Sequence, residues 1–297
     1  MSERIVRVPF SGAIFDVDGV LIDSPHERAW REALHALMEG PWSAIRDQTT
    51  WSPEAFTAEV YQRVLSGKPR MDGALAALDH FGVPDRERRA ETYAERRQTI
   101  VVRLIEAGEF TAFPDAVRFV LDVKAAGLLL ATASSSKNAG IALGQIGLDA
   151  FAQDRGLEYE FLRPGQNLLG LFDADVSGRD FAQGKPHPEM FLTAAQELGL
   201  APQECFVVED AVSGVQAAKA ARMSALGLAR EGDRELLAEA HPDLVVTSLD
   251  DVDLDGLREG RLATMAAGDE VVPRDGGDRR LTAPRTRATA WGRVAGV

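Results

Sequence analysis

Cysteine, basic charge and long apolar runs are all scarce in this sequence of 297 residues. Its one cysteine, Cys205, cannot form an intramolecular disulfide, which fits a reducing compartment. Cys205 stands in an apolar run, so we expect a buried core residue rather than a nucleophile. No apolar run approaches the ~20 residues that span a bilayer, and the first ten residues lack a signal-peptide core. We therefore expect a cytoplasmic protein that makes no use of a membrane.

The shortage of basic residues excludes one class of partner. Lys and Arg total 33 against 46 for Asp and Glu, which gives a formal net charge of −13. Nucleic acids and anionic membranes bind basic surfaces, so neither is expected as the main partner. A small anion can still bind where a metal ion or a few cations override the overall charge. The expected partner is therefore a small molecule, and we expect a monomer.

Strands and helices are predicted to alternate over most of the chain. Short apolar runs predict buried strands at residues 12–15, 128–133, 205–208, 224–228 and 244–246. Amphipathic stretches between these runs predict helices. Such alternation is typical of a parallel sheet covered on both faces. The predicted fold class is therefore α/β, with a Rossmann-like doubly wound parallel sheet.

A helical block interrupts the alternation after the first strand. Residues 25–108 predict several helices and no strand, and one of these helices is expected to begin at Ser52 with a capping hydroxyl. We interpret the block as an inserted helical domain. The sheet domain then consists of residues 1–24 and 109–256.

Two further segments do not fit the alternating pattern. Residues 257–297 carry several glycines and no sustained period, which predicts a loosely ordered tail. Residues 153–184 are long for a connection and are expected to form a small excursion of their own.

Polar side chains follow the predicted strands at the points where these strands end. The groups in question are Asp16 and Asp18 after the first strand, Ser134 after the second, Glu209 and Asp210 after the third, and Lys185 in a loop between the last two. Ligands bind outside the carboxyl ends of the strands in an open parallel sheet, so these groups are expected to converge. Taken singly, most of these groups are more typical of a turn, a helix cap or a solvated charge than of catalysis. Their joint order favours a functional site.

The converging groups suit phosphoryl transfer. Clustered carboxylates repel one another unless a cation lies between them, and Mg²⁺ with its preference for oxygen ligands is the expected cation. Ser134 at a helix start and the Lys185 ammonium suit phosphate oxygens. Asp16 can serve as a covalent nucleophile that forms an aspartyl-phosphate. Asp18, two residues further on, can then protonate the leaving oxygen and later activate water.

The residues around these groups resemble the four motifs of the haloacid dehalogenase superfamily. Residues 15–24 are similar to motif I, residues 132–134 to motif II, residues 185–186 to motif III and residues 207–210 to motif IV. The resemblance implies a Rossmann-like core with a helical cap inserted after motif I. It also implies phosphoryl transfer rather than dehalogenation, because the dehalogenases lack the second acid of motif I.

The resemblance assigns a role to each motif residue. Asp16 is implied to be the nucleophile and a Mg²⁺ ligand, and Asp18 the general acid and base that also gives a backbone carbonyl to the metal. Ser134 and Lys185 are implied to hold the transferring phosphoryl group. Asp210, together with Glu209, is implied to complete the metal site.

Within the superfamily, the chain is most similar to β-phosphoglucomutase and its sugar-phosphate phosphatase relatives. That likeness implies further substrate-binding residues: Ser136, Lys137, Asn138 and Arg70 for a distal phosphate, Arg97 for the sugar, and His26 with Trp30 at the start of the cap. The segment at residues 24–26 is shorter than the mutase hinge, Gly73 stands where the mutase cap has a serine, and residues 153–184 are longer than expected.

These features predict a Mg²⁺-dependent phosphatase that acts on a small sugar phosphate. A sugar phosphate mutase of the β-phosphoglucomutase type is the alternative. A phosphorylated receiver domain is less favoured, because receivers are single small domains and carry the phosphorylated Asp on a later strand. A binding module without catalysis is also less favoured, because no motif position has been lost.

Overall fold

The computed structural model describes residues 8–230 and 232–265, together with the backbone of residues 281–282. Its strands in chain order are β1 (Gly12–Phe15), β2 (Ile22–Asp23), β3 (Thr111–Ala112), β4 (Leu129–Thr132), β5 (Ala174–Asp175), β6 (Cys205–Glu209), β7 (Ser224–Leu228), β8 (Leu244–Val246) and β9 (Leu281–Thr282). Six of these strands form one parallel sheet in the order β5-β4-β1-β6-β7-β8. The predicted α/β class is confirmed, and Cys205 is buried within β6 as expected.

The helices in chain order are α1 (His26–Met38), α2 (Ala58–Val60), α3 (Arg70–His80), α4 (Arg86–Glu106), α5 (Pro114–Ala125), α6 (Ala139–Gly144), α7 (Leu148–Asp154), α8 (Glu189–Leu198), α9 (Val212–Ala220), α10 (Arg234–Ala238) and α11 (Leu254–Arg258). A π-helix over Tyr61–Leu65 continues α2.

Strand β1 occupies the centre of the large sheet and is buried on both faces. Ile14 packs on one face with Phe191 and Val207, and Phe15 packs on the other with Phe119. Successive residues of a strand point to opposite faces, which explains why this short strand is apolar throughout. Phe15 pairs with Thr132 of β4 and Val208 of β6, so these three strands end at the same level.

Helices α1 to α4 enclose a separate hydrophobic core. Its buried aromatic members are Trp30, Trp42, Trp51, Phe56, Phe81 and Tyr93. Helices α1 and α4 pack together, and the Tyr93 hydroxyl donates to the Trp30 carbonyl oxygen at 3.0 Å. The chain leaves and re-enters the sheet domain through β2 and β3, which pair antiparallel. We refer to the helical block as the cap and to the sheet domain as the core.

Ser52 does not begin a helix. Its Oγ accepts a hydrogen bond from the Ala55 N–H at 3.2 Å, but the segment makes only a turn. The helix begins at Ala58, where the Thr57 side chain caps it by accepting from the Val60 N–H. A capping hydroxyl marks a turn as readily as a helix start, because both satisfy the same local backbone donors.

Two other segments contain more regular structure than the sequence suggests. Within residues 153–184 the chain forms β5, which pairs parallel with β4 at the sheet edge. Residues 257–265 were expected to be loosely ordered, yet Leu257 is buried in α11 and Val252 forms a bridge with Thr264. Strand β9 pairs with β3, and the rest of the predicted tail lies outside the described residues. No helix in the described part of the chain has the length and apolar character needed to cross a bilayer.

Candidate active site

Asp16 lies just beyond the carboxyl end of β1 and is linked to Lys185. The Lys185 ammonium donates to Asp16 Oδ1 at 2.5 Å, to Glu209 Oε1 at 2.6 Å and to the Ala133 carbonyl at 3.2 Å. All three charged side chains are nearly inaccessible, with exposed fractions of 3% for Lys185, 9% for Asp16 and 1% for Glu209. The carboxyl ends of β1, β4 and β6 and the loop between β5 and α8 therefore meet at one buried cation, as the topology predicts.

Burial dominates the electrostatics of this centre. It raises the pKa of Asp16 to about 7, reinforced by the Glu209 and Asp18 carboxylates and opposed by Lys185. Burial lowers the pKa of Lys185, but Asp16 and Glu209 outweigh it and hold that pKa above its ordinary value. Lys185 is thus a fixed positive charge, and its single charge does not offset all the carboxylates around it.

Asp18 has a different environment from Asp16. Its Oδ2 lies 3.0 Å from Nε2 of His26, the first residue of α1. Burial raises the pKa of Asp18, but the charge and hydrogen bond of His26 outweigh burial and hold it below its ordinary value. Two carboxyl groups two residues apart therefore have pKa values shifted in opposite directions. Such divergence is the pattern expected when two acids have separate roles in one reaction.

Two glycines allow the acidic groups of β6 to approach the motif I loop and α9. A Cβ at Gly19, where φ is +81°, would lie 1.9 Å from Asp210 Oδ2. A Cβ at Gly214 would lie 1.9 Å from Glu209 Oε1. Any larger residue at either position would displace a carboxylate from the site.

The residues predicted to hold a metal ion differ in the contacts that the structure gives them. Glu209 was expected to help hold the metal, but its carboxylate accepts from Lys185 and from the Ala211 N–H. The Asp18 side chain is directed to His26, which leaves its backbone carbonyl for a metal. Among the described residues, no three His, Cys, Asp or Glu side chains are grouped to enclose an ion.

Asp16 and Asp210 remain as the carboxylates available to a cation. Burial raises the pKa of Asp210 well above its ordinary value, and Glu209 and Asp16 raise it further. Asp210 forms no ion pair with any described residue, so its ionised form lacks a compensating charge. Two buried carboxylates and a nearby carbonyl fit Mg²⁺, which keeps several water or phosphate ligands.

A cavity of about 1040 Å³ separates this centre from the cap. The core side of its wall includes Ser134, Ser136 and Lys137, and the Ser134 Oγ accepts from the Ser136 N–H at 3.1 Å. On the cap side the loop at residues 67–70 lies against the core. A Cβ at Gly67 would meet Ser213 Oγ at 2.6 Å, and a Cβ at Gly184 would meet Pro69. The cap is therefore closed over the carboxylates.

The structure brings most of the predicted substrate-binding residues to this cavity. Its wall includes Arg70, Arg97 and His26, with Trp30 beneath the Arg97 guanidinium at 5.0 Å. Lys137 also lines the cavity, and its ammonium is paired with the exposed Asp180.

Asn138 does not line the cavity. Its side chain is 4% exposed, and its Oδ1 accepts from Gln98 of the cap at 3.2 Å. The reason is local, because the chain turns at residues 136–138 before α6 begins at Ala139. The amide is thereby directed toward α4 instead of the cavity.

Tyr61, Gln98 and Arg230 are among the cavity residues that the sequence did not predict. Tyr61 reaches the cavity from the π-helix, and Gln98 from α4. Arg230 follows β7, donates to the Gly19 and Val20 carbonyls and pairs with Asp115 at 3.1 Å. Nothing in the sequence links Tyr61 to this cavity or Arg230 to motif I. The one sequence signal for Arg230 is its position just after a predicted strand, where functional residues of a parallel sheet are expected.

Comparison with known proteins places this arrangement in context. The family model for haloacid dehalogenase-like hydrolases matches residues 10–222. A β-phosphoglucomutase of Mycobacterium bovis is 32% identical, over 83% of this chain and 93% of its own. Hexitol phosphatase A of Escherichia coli is 29% identical, over 81% and 92%. Among solved structures, an archaeal β-phosphoglucomutase from Pyrococcus is 31% identical with a TM-score of 0.60, over 83% of this chain and 96% of its own.

Proposed function

The chain belongs to the haloacid dehalogenase-like hydrolase family, and from that membership we propose a Mg²⁺-dependent phosphatase that hydrolyses a small sugar phosphate through an aspartyl-phosphate on Asp16. Its relatives include sugar phosphatases and sugar phosphate mutases, so the chain is an enzyme of the sugar phosphatase or mutase type. The observation that carries the finer proposal is the pair of acids at β1. Asp16 is bound to Lys185, and Asp18 is bound to His26.

In the first half of the reaction, a carboxylate oxygen of Asp16 attacks the phosphorus atom. The bond between phosphorus and the sugar oxygen breaks, and Asp18 passes to that oxygen the proton of its hydrogen-bonded pair with His26. Lys185 and the Ser134 hydroxyl neutralise charge on the phosphoryl oxygens. Lys185 already holds Asp16 Oδ1, so the nucleophile is oriented before substrate binds.

In the second half, water attacks the phosphorus of the aspartyl-phosphate. Asp18, now ionised, takes the proton of that water, and the bond from phosphorus to Asp16 breaks. Free phosphate leaves, and Asp16 and Asp18 return to their starting states. The lowered pKa of Asp18 beside His26 suits this step, because the base must be ionised at neutral pH.

Asp16, Asp210 and the Asp18 backbone carbonyl would hold the metal ion. When bound, Mg²⁺ supplies positive charge that favours the ionised carboxylates and the phosphoryl oxygens. Gly19 keeps Asp210 against the motif I loop for this purpose.

The position of Asn138 supports hydrolysis over group transfer. A mutase must retain a sugar bisphosphate while it reverses orientation, which calls for a full set of groups on the distal phosphate. Of the four groups expected there, Asn138 is engaged by Gln98 and lies off the cavity. Arg70, Ser136 and Lys137 line the cavity and keep mutase activity as the second candidate, together with the mycobacterial relative.

One experiment separates the two functions. The protein is incubated with Mg²⁺ and β-glucose 1-phosphate, with and without a trace of glucose 1,6-bisphosphate. Free phosphate and glucose 6-phosphate are followed in parallel. We expect free phosphate and no glucose 6-phosphate. Glucose 6-phosphate that depends on the bisphosphate would identify a mutase, and neither product from any sugar phosphate would refute both.

A further inference from the structure

The cap contributes a buried guanidinium that no carboxylate neutralises. Arg97 of α4 is 9% exposed, lines the cavity and lies with its Cζ 5.0 Å from the centre of the Trp30 ring. Its Nε has no hydrogen-bond partner, and its one side-chain contact with a polar group is a long bond of 3.4 Å to Gln98 Oε1. A buried charge without a partner is costly, so such a group indicates a ligand of opposite charge.

The other cations that line the cavity are mostly paired. The pairs among them are Lys185 with Asp16 and Glu209, Arg63 with Glu59, Lys137 with Asp180, Arg179 with Glu197, and Arg230 with Asp115. Arg70 and Lys68 form no ion pair with the described residues, but both are exposed to solvent, where an unpaired charge costs little. Arg97 is therefore the buried cation whose charge the described protein leaves unbalanced.

Tyr61 adds a second unsatisfied donor at the same place. Its hydroxyl forms no hydrogen bond with the described residues, although its side chain lines the cavity. Burial raises the pKa of Tyr61, and Arg97 is the charged group with the largest opposing effect. The phenol is therefore un-ionised, and it lines the same cavity as Arg97. The π-helix Tyr61–Leu65 holds it there, and such local departures from α-helix geometry are frequent at functional sites.

We propose that Arg97 and the Tyr61 hydroxyl bind a carboxylate of the substrate, so that the enzyme acts on a phosphorylated sugar acid in preference to a neutral sugar phosphate. This inference rests on the proposed phosphatase function and names its substrate class. The likeness to the mutase subfamily implied only a sugar contact at Arg97. A lysine suffices for a hydroxyl, whereas the planar fork of arginine matches the two oxygens of a carboxylate.

A carboxylate fits the buried part of these surroundings better than a second phosphate. The Arg97 guanidinium alone balances the single charge of a carboxylate, whereas a phosphate dianion would also need the exposed Arg70, whose charge acts on Arg97. Around Arg97, Trp30 presents its ring and Tyr61 lines the same cavity. Asp18 is the acidic group that acts most on Arg97 after Tyr61, but its carboxylate is engaged by His26. It does not take the place of the substrate anion.

Matched substrates test this inference. 6-Phosphogluconate and glucitol 6-phosphate differ only in a carboxylate against a hydroxymethyl group at the carbon far from the phosphate. 3-Phosphoglycerate and glycerol 3-phosphate form the same contrast on a shorter skeleton. Phosphate release with Mg²⁺ gives kcat/KM for each, and the ratio of acid to alcohol is the readout. We expect a ratio of about ten to a hundred in at least one pair, as for a hydrogen-bonded charged group.

Variants assign the preference to its residues. Arg97→Gln is expected to bring the ratio close to one, Arg97→Lys to retain part of it, and Tyr61→Phe to lower it about two- to tenfold. Arg96→Gln is the matched control, because Arg96 lies on the same helix, is exposed and does not line the cavity. The control should keep the wild-type ratio.

The outcomes separate this inference from the proposed function. Wild-type ratios near one or below in both pairs would overturn the carboxylate site while leaving the phosphatase intact. A high ratio that Arg97→Gln does not change would also overturn it. Faster phosphate release from glucitol 1,6-bisphosphate than from 6-phosphogluconate would assign the site to a phosphate instead. Release from no substrate, p-nitrophenyl phosphate included, would refute the phosphatase itself and this inference with it.

Discussion

Replacing Lys185 with methionine removes the one cation at the centre of the site while keeping its length and apolar stem. The ammonium has three acceptors within 3.2 Å and is 3% exposed. Its loss leaves the Asp16 and Glu209 carboxylates buried without a counter-charge. Breaking a buried ion pair in this way costs about 3–5 kcal/mol, so we expect the metal-free variant to lose that much unfolding free energy at neutral pH.

The size of this loss should depend on pH. The pKa of Asp16 is already raised to about 7 from 3.8, and removal of Lys185 raises it further because that charge opposes the shift. A carboxyl group with a raised pKa in the folded state costs nothing below its unfolded pKa of 3.8. Its penalty grows as pH rises from the unfolded pKa to the folded pKa and is constant above it, so the variant, whose folded pKa is higher, is penalised further than the wild type at pH 8. The destabilisation by Lys185→Met should therefore be smaller at pH 5 than at pH 8.

Urea unfolding followed by circular dichroism measures the effect, with Lys219→Met as the control. Lys219 also contacts both oxygens of one carboxylate, Asp243, at 2.7 and 2.9 Å, but the two side chains are 37% and 40% exposed. Solvent-exposed pairs contribute about 0–1 kcal/mol. Equal losses of unfolding free energy in the two variants would contradict the role of Lys185 as the buried counter-charge. A loss for Lys185→Met that does not change between pH 5 and pH 8 would also contradict it.

Three further substitutions test other parts of the site. Asp18→Asn should slow hydrolysis of a sugar phosphate by about 10²–10⁴-fold and that of p-nitrophenyl phosphate much less, because the nitrophenolate leaves without protonation. Steady-state rates that fall equally for the two substrates would remove Asp18 as the acid. His26→Gln removes the group that holds the pKa of Asp18 down. The acidic limb of the pH profile of the dephosphorylation rate, measured in single turnovers, should therefore move to higher pH. A limb at the wild-type pH would contradict this role of His26. Gly214→Ala places a Cβ against the Glu209 carboxylate and should lower the free energy of unfolding by about 1–3 kcal/mol, measured by thermal unfolding. Gly140→Ala is the control, because Gly140 is also helical and the nearest atoms to its added Cβ lie 3.9 Å away; it should not lower stability.

The positions of the motif residues could be predicted because they depend on topology alone. A buried strand that ends in Asp16, and others that end near Ser134 and Glu209, meet at one sheet edge in any parallel sheet of this order. The parallel direction of these strands follows from the alternation of strands and helices. For the same reason the all-helical stretch after β2 was recognisable as a break in that alternation.

Contacts set by side-chain direction could not be predicted in this way. Asn138 was expected at the cavity, yet the turn at residues 136–138 before α6 directs it to Gln98. Tyr61 lines the cavity from a π-helix, and the change from α-helix to π-helix has no sequence signature. The proposed metal ligands are limited to Asp16 and Asp210 because Lys185 engages Glu209 in the structure.

The covalent role of Asp16 is tested most directly by trapping the phosphoryl enzyme. The Asp18→Asn protein is mixed with Mg²⁺ and p-nitrophenyl phosphate, quenched in acid and digested for mass spectrometry. We expect one added phosphoryl group on the peptide that contains Asp16, and none when Asp16→Asn is combined with Asp18→Asn. A phosphoryl group on any other residue, or an Asp16→Asn protein that still releases phosphate at a tenth of the wild-type rate, would contradict it.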